Sequence, residues 1–460
     1  MRCVNSHKDQ LPTPKISGGE SRRAIRLTLL VLGVLSAGVP GVFAQTAADL
    51  FDTSTLQEVR LFMNSRDVQQ LHDHYKDNTH YTVDLLWRDI RVRNAAVRSR
   101  GTGSANPVKP GLRIEFDRYT TGQRFLGLRA LVLDNLWQDP AMIREHVAMA
   151  MFARMDQAAP LQSFCRLFIN SQYQGVYALT EEPNAEFVAR ALEQTGGYLF
   201  EYRWVMPFYA TDLGDDLASY KPLFEPRTHE LEADSTLYRP IRDLFREVNG
   251  PDDAVWRERV EQYIDLPQLV RLVAIETFVS ENDGFLGYVG MNNFYLYRPA
   301  GTTRHRVFPW DKDNAFLVMD KPILDRAGEN ELFRRALAYP DLLDLYLQTL
   351  EECARRAVED DWLAAEIERQ LSVIDEAAHA DPLKQYPNEV FDQQIDFLRE
   401  FARRRPAFVL REVAALRQGA IPTEPGLGRG RVQDRIVPWP NRKYLLPLDR
   451  NRVKSPSSDD

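Results

Sequence analysis

The sequence predicts an α+β protein, strand-rich in its first half and helix-rich in its second. Three observations lead there. Short alternating apolar–polar segments crowd residues 56–202, and helical apolar spacing dominates from residue 252 onward. No internal repeat runs through the 460 residues, which are 44% apolar and 27% charged, as in an ordinary globular chain.

Residues 56–63 alternate as a strand, and Ser65 caps a short amphipathic helix over 66–75. Strands follow over 81–87, 90–97, 112–116 and 129–133. Pro140 suits the first turn of a helix reaching about residue 155. Residues 166–169 and 176–180 make a hairpin about the polar turn Asn170-Ser171-Gln172-Tyr173-Gln174-Gly175. A helix over 184–192 and a strand over 197–202 come next. Residues 205–250 lack periodicity and read as long connections. An apolar helix over 266–281 precedes strands over 293–297 and 306–310, joined by Pro299-Ala300-Gly301. Three or four helices fill 330–417, and residues 419–460 read as an irregular, basic tail.

The first 44 residues stand outside the fold. Lys8, Lys15, Arg22, Arg23 and Arg26 precede an apolar run over 27–35, and Val42-Phe43-Ala44 places small residues where a signal peptidase reads. Cleavage is expected after Ala44, giving a secreted or periplasmic protein with no membrane span. Cys165 and Cys353 then remain, and both read as separate buried thiols.

A formal charge of −8 argues against a dedicated nucleic-acid partner. The chain lacks a phosphate-binding P-loop, a His-Glu-x-x-His zinc motif and a Gly-x-Ser-x-Gly elbow. Gly426-x-Gly428-x-Gly430 has no strand before it, and His72-Asp73-His74 sends its two histidines to different faces of a helix.

Acidic residues gather elsewhere. Glu281-Asn282-Asp283-Gly284 ends an apolar helix, Asn292-Asn293 opens a strand, and Trp310-Asp311-Lys312-Asp313-Asn314 ends another. Such carboxylates can hold a hard cation, and the same residue types equally serve as caps and turns. Upstream, Arg98, Arg100, Gly101, Gly103 and Lys109 precede a strand, a pattern able to grip phosphate or to form an exposed loop.

The ordered set resembles the CotH kinase family, the secreted atypical kinases typified by a spore coat protein. Arg98-Ser99-Arg100-Gly101 with Lys109-Pro110 and Leu112-Arg113-Ile114-Glu115-Phe116 matches its basic region. Leu126-Gly127-Leu128, Asp139-Pro140 and Arg144 match the next block, and Phe168-Ile169-Asn170 with Tyr173-Gln174-Gly175-Val176-Tyr177 and Glu181 its hairpin. Asp283, Asn292-Asn293-Phe294 and Pro309-Trp310-Asp311-Lys312-Asp313 match its acidic site, and the likeness spans about residues 55–410.

The resemblance implies a divergent kinase-like fold over 45–418, with one lobe over about 50–205 and a second over 206–418. It implies ATP and Mg2+ or Mn2+ as cofactors, and a Ser/Thr protein kinase acting on an exported protein. Asp283 would be the catalytic aspartate. Asp311, Asn292, Asn293 and Asp313 would hold metal, and Lys109 and Arg113 would contact ATP, with Glu181 as the acidic partner of Lys109. The His-Arg-Asp, Asp-Phe-Gly and Gly-x-Gly-x-x-Gly motifs of ordinary protein kinases are absent. Transfer of another part of the nucleotide, or a non-catalytic binding role, are the alternative functions.

Overall fold

The computed structural model describes residues 45–419; the expected leader, and beyond Gly419 the expected tail, lie outside the described residues. A short helix α1 (Ala47–Leu50) leads into β1 (Leu56–Phe62) and then α2 (Ser65–Asp73), whose cap is Asn64 rather than Ser65. Strands β2 (Tyr81–Trp87), β3 (Ile90–Arg100), β4 (Gly111–Glu115) and β5 (Ala130–Asp134) follow where alternation predicts them. The helix expected at Pro140 begins later, as α3 (Arg144–Arg154). Its entry is held by Asp139, whose carboxylate accepts from the backbone N–H of Ala141 and Arg144 at 2.8 and 2.7 Å.

The hairpin β6 (Gln162–Ile169) and β7 (Gln172–Glu181) is longer and its turn tighter than the sequence suggests. Asn170 and Ser171 alone make the turn, with φ of +47° and +68°, as a two-residue primed hairpin requires. Gly175 lies inside β7 at a register slip, with φ of +98°. A Cβ there would sit 2.2 Å from the carboxylate of Asp381. Gly175→Ala should therefore cost about 1–3 kcal/mol for overpacking, with roughly 1 kcal/mol more for the positive φ. An unchanged urea midpoint for that variant would contradict the placement of Asp381.

These seven strands close a barrel in the order β1-β2-β3-β4-β5-β7-β6, sealed by parallel pairing of β1 with β6. Period-2 alternation sends Val59, Leu61, Val83, Leu85, Val97, Leu112, Ile114, Leu131, Leu133 and Leu179 inward. A barrel of this size is filled by side chains. Trp87 is among them, its indole N–H donating to Gln57 at 2.9 Å. Cys165 lies in the same interior and Cys353 in the helical core, and neither forms a disulfide.

After α4 (Ala185–Leu192) a second sheet begins. It consists of β8 (Tyr198–Tyr202), β9 (Phe224–Pro226), β10 (Phe294–Arg298) and β11 (Arg306–Pro309), in the order β11-β10-β8-β9. Thus β8, which a division at residue 205 would leave with the first part, is hydrogen-bonded to strands of the second. The outward face of the barrel meets this sheet: Val132 packs with Phe187, Leu199, Tyr295, Phe308 and Trp310.

Residues 205–250 are not merely connections. They contain α5 (Asp234–Val248), whose interior Pro240 breaks the sequence pattern. Pro240 has no N–H for the carbonyl of Thr236, and the Arg298 guanidinium donates to that oxygen at 2.8 Å instead. The remaining helices are α6 (Trp256–Glu261), α7 (Leu266–Phe278), α8 (Glu331–Ala336), α9 (Pro340–Val358), α10 (Trp362–His379) and α11 (Asn388–Arg417). They share one apolar core with α3 and α5. Arg405 of α11 is fully buried and donates to the carbonyls of Thr277, Phe278, Met319 and Lys321 at 2.6–3.1 Å. The guanidinium thereby supports the last two carbonyls of α7, and so fixes where the acidic segment starts. No helix among the described residues is long and apolar enough to cross a membrane.

Candidate active site

The C-terminal end of α7 and the strands β10 and β11 converge on one place. Leaving α7, the chain turns through Ser280, at φ +57°, into Glu281-Asn282-Asp283. The Asp283 carboxylate accepts from the side-chain amides of both Asn292 and Asn293, at 3.0 and 3.2 Å. Burial raises its pKa, and those two amides with Lys312 pull it only part of the way back. A carboxylate made more basic in this way suits a proton acceptor.

Lys312 is the scaffold of the cluster. Its ammonium is fully buried, pairs with Glu276 at 2.7 Å and donates to the carbonyl of Asn293 at 2.8 Å. Burial works against this charge, but Glu276 and Glu281 outweigh it and the net shift is upward. Glu276 also accepts from the N–H of Phe285 at 2.8 Å. Gly284 is needed for that approach, since a Cβ would lie 2.6 Å from the same oxygen. Lys321 donates to Asn282 at 3.0 Å and to the carbonyl of Glu281, holding the segment from its other side.

Beyond β11 the chain turns sharply at Asp311, with φ +52°. Asp311 lines a narrow cleft with Arg100, Val132, Asp134, Glu145, Thr180 and Trp310. The register explains why the barrel supplies half of it: Arg113, Val132 and Thr180 are successive partners across β4, β5 and β7, on the face opposite the barrel core. Arg100 ends β3 and pairs with Asp134 at 2.9 Å. Burial and Asp134 push the Asp311 carboxyl up to about 6, against the pull of Arg100. Glu145 and Asp313 are shifted strongly upward by burial and then by neighbouring carboxylates, Asp311 first in both cases.

Burial also lifts Glu281 to about 7, against Lys312. One of its oxygens, Oε2, is buried with no hydrogen-bond partner, while the other accepts from the N–H of Asp283 at 2.6 Å. A carboxyl raised in the folded state keeps a proton that the unfolded chain has lost. It therefore costs stability as pH climbs from about 4.5 towards 7. Burial holds His146 and His305 down at about 3, which makes stability rise with pH up to about 6.5. The share of Glu281 is thus read as a difference. In EDTA, the stability of Glu281→Gln relative to wild type should grow between pH 5 and 7 and then level off. A difference that does not change with pH would contradict this environment.

Among the described residues no three His, Cys, Asp or Glu side chains converge as a ready-made metal cluster. His72 and His74 do not converge either: one ring faces the carbonyl of Pro107 at 2.6 Å, the other Asp77 at 3.0 Å. The acidic cleft fits a cation of a different kind. Its carboxylates Asp134, Glu145 and Asp311 offer oxygen donors, with Arg100 as the cation lining the cleft beside them, and Asp313 adds to the same crowding of charge. Magnesium is commonly held by one or two carboxylates together with phosphate and water.

Of the expected site residues, the structure brings together Asp283, Asn292, Asn293, Asp311 and Asp313. The basic residues are placed differently. Lys109 is buried and pairs with Asp381 at 2.7 Å, not with Glu181. Glu181 instead accepts from Arg190 of α4, at 2.9 Å for the Nε contact, and from the N–H of Leu161 at 3.0 Å. The pairing fails because β7 directs Glu181 towards α4, whereas Lys109 reaches the turn after α10. Arg113 grips Glu182, with one contact at 2.9 Å, and also Glu115.

Sequence reasoning missed Asp134, Glu145 and the structural role of Lys312. A signal existed for Glu145: it sits in Arg144-Glu145-His146, three charged or polar residues in a row, all buried at the start of α3.

An α+β protein with an amide-held aspartate beside a narrow, charge-crowded cleft is the class these features define. Residues 97–409 match the family described as CotH kinase protein, and the chain belongs to that family. It is similar to Inner spore coat protein H of Bacillus subtilis (strain 168), with 23% identity over 373 residues, covering 77% of this chain and 97% of that protein. Among solved structures it matches the crystal structure of a Helicobacter pylori proinflammatory kinase, CtkA, at a TM-score of 0.30 and 9% identity. That match covers 68% of this chain and 96% of the other. At that score the match says nothing about the barrel.

Proposed function

We propose that this protein is a divergent kinase that transfers the γ-phosphate of ATP to a Ser or Thr hydroxyl of an exported protein. The observation carrying this reading is the set of partly buried carboxylates, Asp311 foremost, crowded opposite Arg100 and next to Asp283. Family membership supports it. In the reaction the acceptor oxygen bonds to the γ-phosphorus, the bond from that phosphorus to the β–γ bridging oxygen breaks, and ADP leaves. Asp283 takes the hydroxyl proton on the oxygen that does not hold both amides. Asn292 and Asn293 fix its orientation. Arg100 lies where it can neutralise phosphate charge, a role the resemblance gives to Lys109.

Asp311 with Asp313, and the amide oxygen of Asn292 or Asn293, would hold Mg2+ or Mn2+, which when bound neutralises charge on the phosphates. As it stands, the cleft has no room for a nucleotide. The outer barrel face and the second sheet must therefore part for a nucleotide to enter.

The basic-then-apolar leader and a relative named for the spore coat support action outside the cytoplasm. The test is incubation of residues 45–460 with γ-labelled ATP, Mn2+ and a generic acceptor protein, beside Asp283→Asn. Label on protein with wild type and none with the variant is the expected result. Equal labelling by both would overturn the role of Asp283. Label transferred only from α-labelled ATP would replace the kinase reading with nucleotidyl transfer.

A further inference from the structure

We infer that Asp381 is a positioning residue for the loop 101–108 that follows the cleft residue Arg100, acting through Lys109 from the turn between α10 and α11. The inference rests on the kinase reading for its functional part. Lys109 and Asp381 are 1% and 0% exposed at the side chain, 272 residues apart, and joined at 2.7 Å. Each is held on its other sides. Asp381 Oδ2 also accepts from the N–H of Val176 at 2.9 Å, and Oδ1 from the N–H of Leu383 at 2.8 Å. Gly175, at φ +98°, leaves the space that lets this carboxylate reach the barrel wall. The Lys109 ammonium also stands 5.1 Å from the ring of Tyr177, whose hydroxyl donates to the carbonyl of Pro110 at 3.1 Å.

From Lys109 the contacts run straight to the cleft. Asn135 donates to the carbonyls of Lys109 and Ser104, at 2.7 and 3.0 Å, tying the middle of the loop to its C-terminal end. Asn106 accepts from the N–H groups of Val108 and Lys109. Asn135 follows Asp134, which pairs with Arg100, the residue that opens the loop and lines the cleft with Asp311. One buried ion pair thus sets the height of a loop that begins directly after Arg100, the residue given the phosphates in the proposed reaction. The Lys109 ammonium is engaged by Asp381 and takes its effect through that loop.

The test compares full-length wild type, Lys109→Met, Asp381→Asn and the double variant, by hydrogen exchange and by ATP kinetics. The amide introduced by Asp381→Asn keeps an acceptor for the N–H of Val176. The double variant leaves no unpaired charge, so it remains foldable if a single variant does not. The expected result is faster exchange over residues 101–108 in all three variants. The KM for ATP should rise about tenfold in each, without multiplying in the double variant, while the double variant recovers its melting temperature. Unchanged exchange over 101–108 would overturn the inference. So would a KM that returns to the wild-type value along with stability, since the pair would then be merely structural. A KM raised only by Lys109→Met would make Lys109 a direct nucleotide contact and overturn the role of Asp381. Absence of phosphate transfer by wild type, with the loop still loosened in the variants, would instead defeat the kinase reading.

Discussion

Asp311→Asn should make the metal-free protein more stable while abolishing phosphate transfer. Burial and Asp134 push the Asp311 carboxyl up to about 6, and Arg100 offsets this only in part. An amide of the same shape removes that repulsion, a gain on the order of 1–3 kcal/mol at neutral pH. The same substitution removes the carboxylate proposed as the main ligand of the cation. A metal supplies several kcal/mol of charge stabilisation in phosphoryl transfer, so kcat should fall by about a thousandfold or more. Thermal unfolding in EDTA and then in Mn2+ checks both halves. Wild type should gain stability from Mn2+ and the variant should not. A variant that melts below wild type in EDTA would show that Asp311 is satisfied by the protein alone.

The second large effect is expected at Lys312. Its ammonium is fully buried between Glu276 and the Asn293 carbonyl. Lys312→Met leaves Glu276 as an unpaired buried carboxylate, a loss of about 3–5 kcal/mol. It also frees Asn293, whose positive φ is held there by Lys312 and by the N–H of Trp310 at 3.2 Å on the same carbonyl. Pairing it with Glu276→Gln removes the stranded charge and retains an acceptor for the Phe285 N–H. The double variant should regain most of its stability by urea denaturation and still transfer no phosphate. Recovery of activity along with stability would reduce Lys312 to a packing residue.

How much of this is legible in the sequence follows from the range of the interactions. Strands β1 to β5 declare themselves because one face of each is buried, and alternation is local. The acidic residues are legible because they end apolar elements: Asp283 follows α7 and Asp311 follows β11. Helix α5 is hidden by Pro240, whose cost is offset by Arg298, a residue 62 positions from Thr236. The turn at Asn170-Ser171 is hidden because Gly175, the expected turn residue, serves the passage of Asp381 instead. Barrel closure and the partner of Lys109 are invisible for the same reason: each depends on a segment far along the chain. A lysine after glycines has the same local look whether it faces phosphate or a buried aspartate.

The parallel seam between β1 and β6 also governs the order of assembly. Asn170 holds the backbone of Met63 from 107 residues away, so β1 has no partner on that side until the hairpin that follows β5 has emerged. Until then the barrel is an open sheet with a free edge. The ion pair from Lys109 to Asp381 waits longer still, across 272 residues. At ordinary rates of synthesis that interval is on the order of half a minute. Throughout it the loop after Arg100 has its local ties to Asn106 and Asn135 but lacks the Asp381 end of the ion pair. The chain becomes competent for its proposed chemistry only once α10 and α11 have emerged.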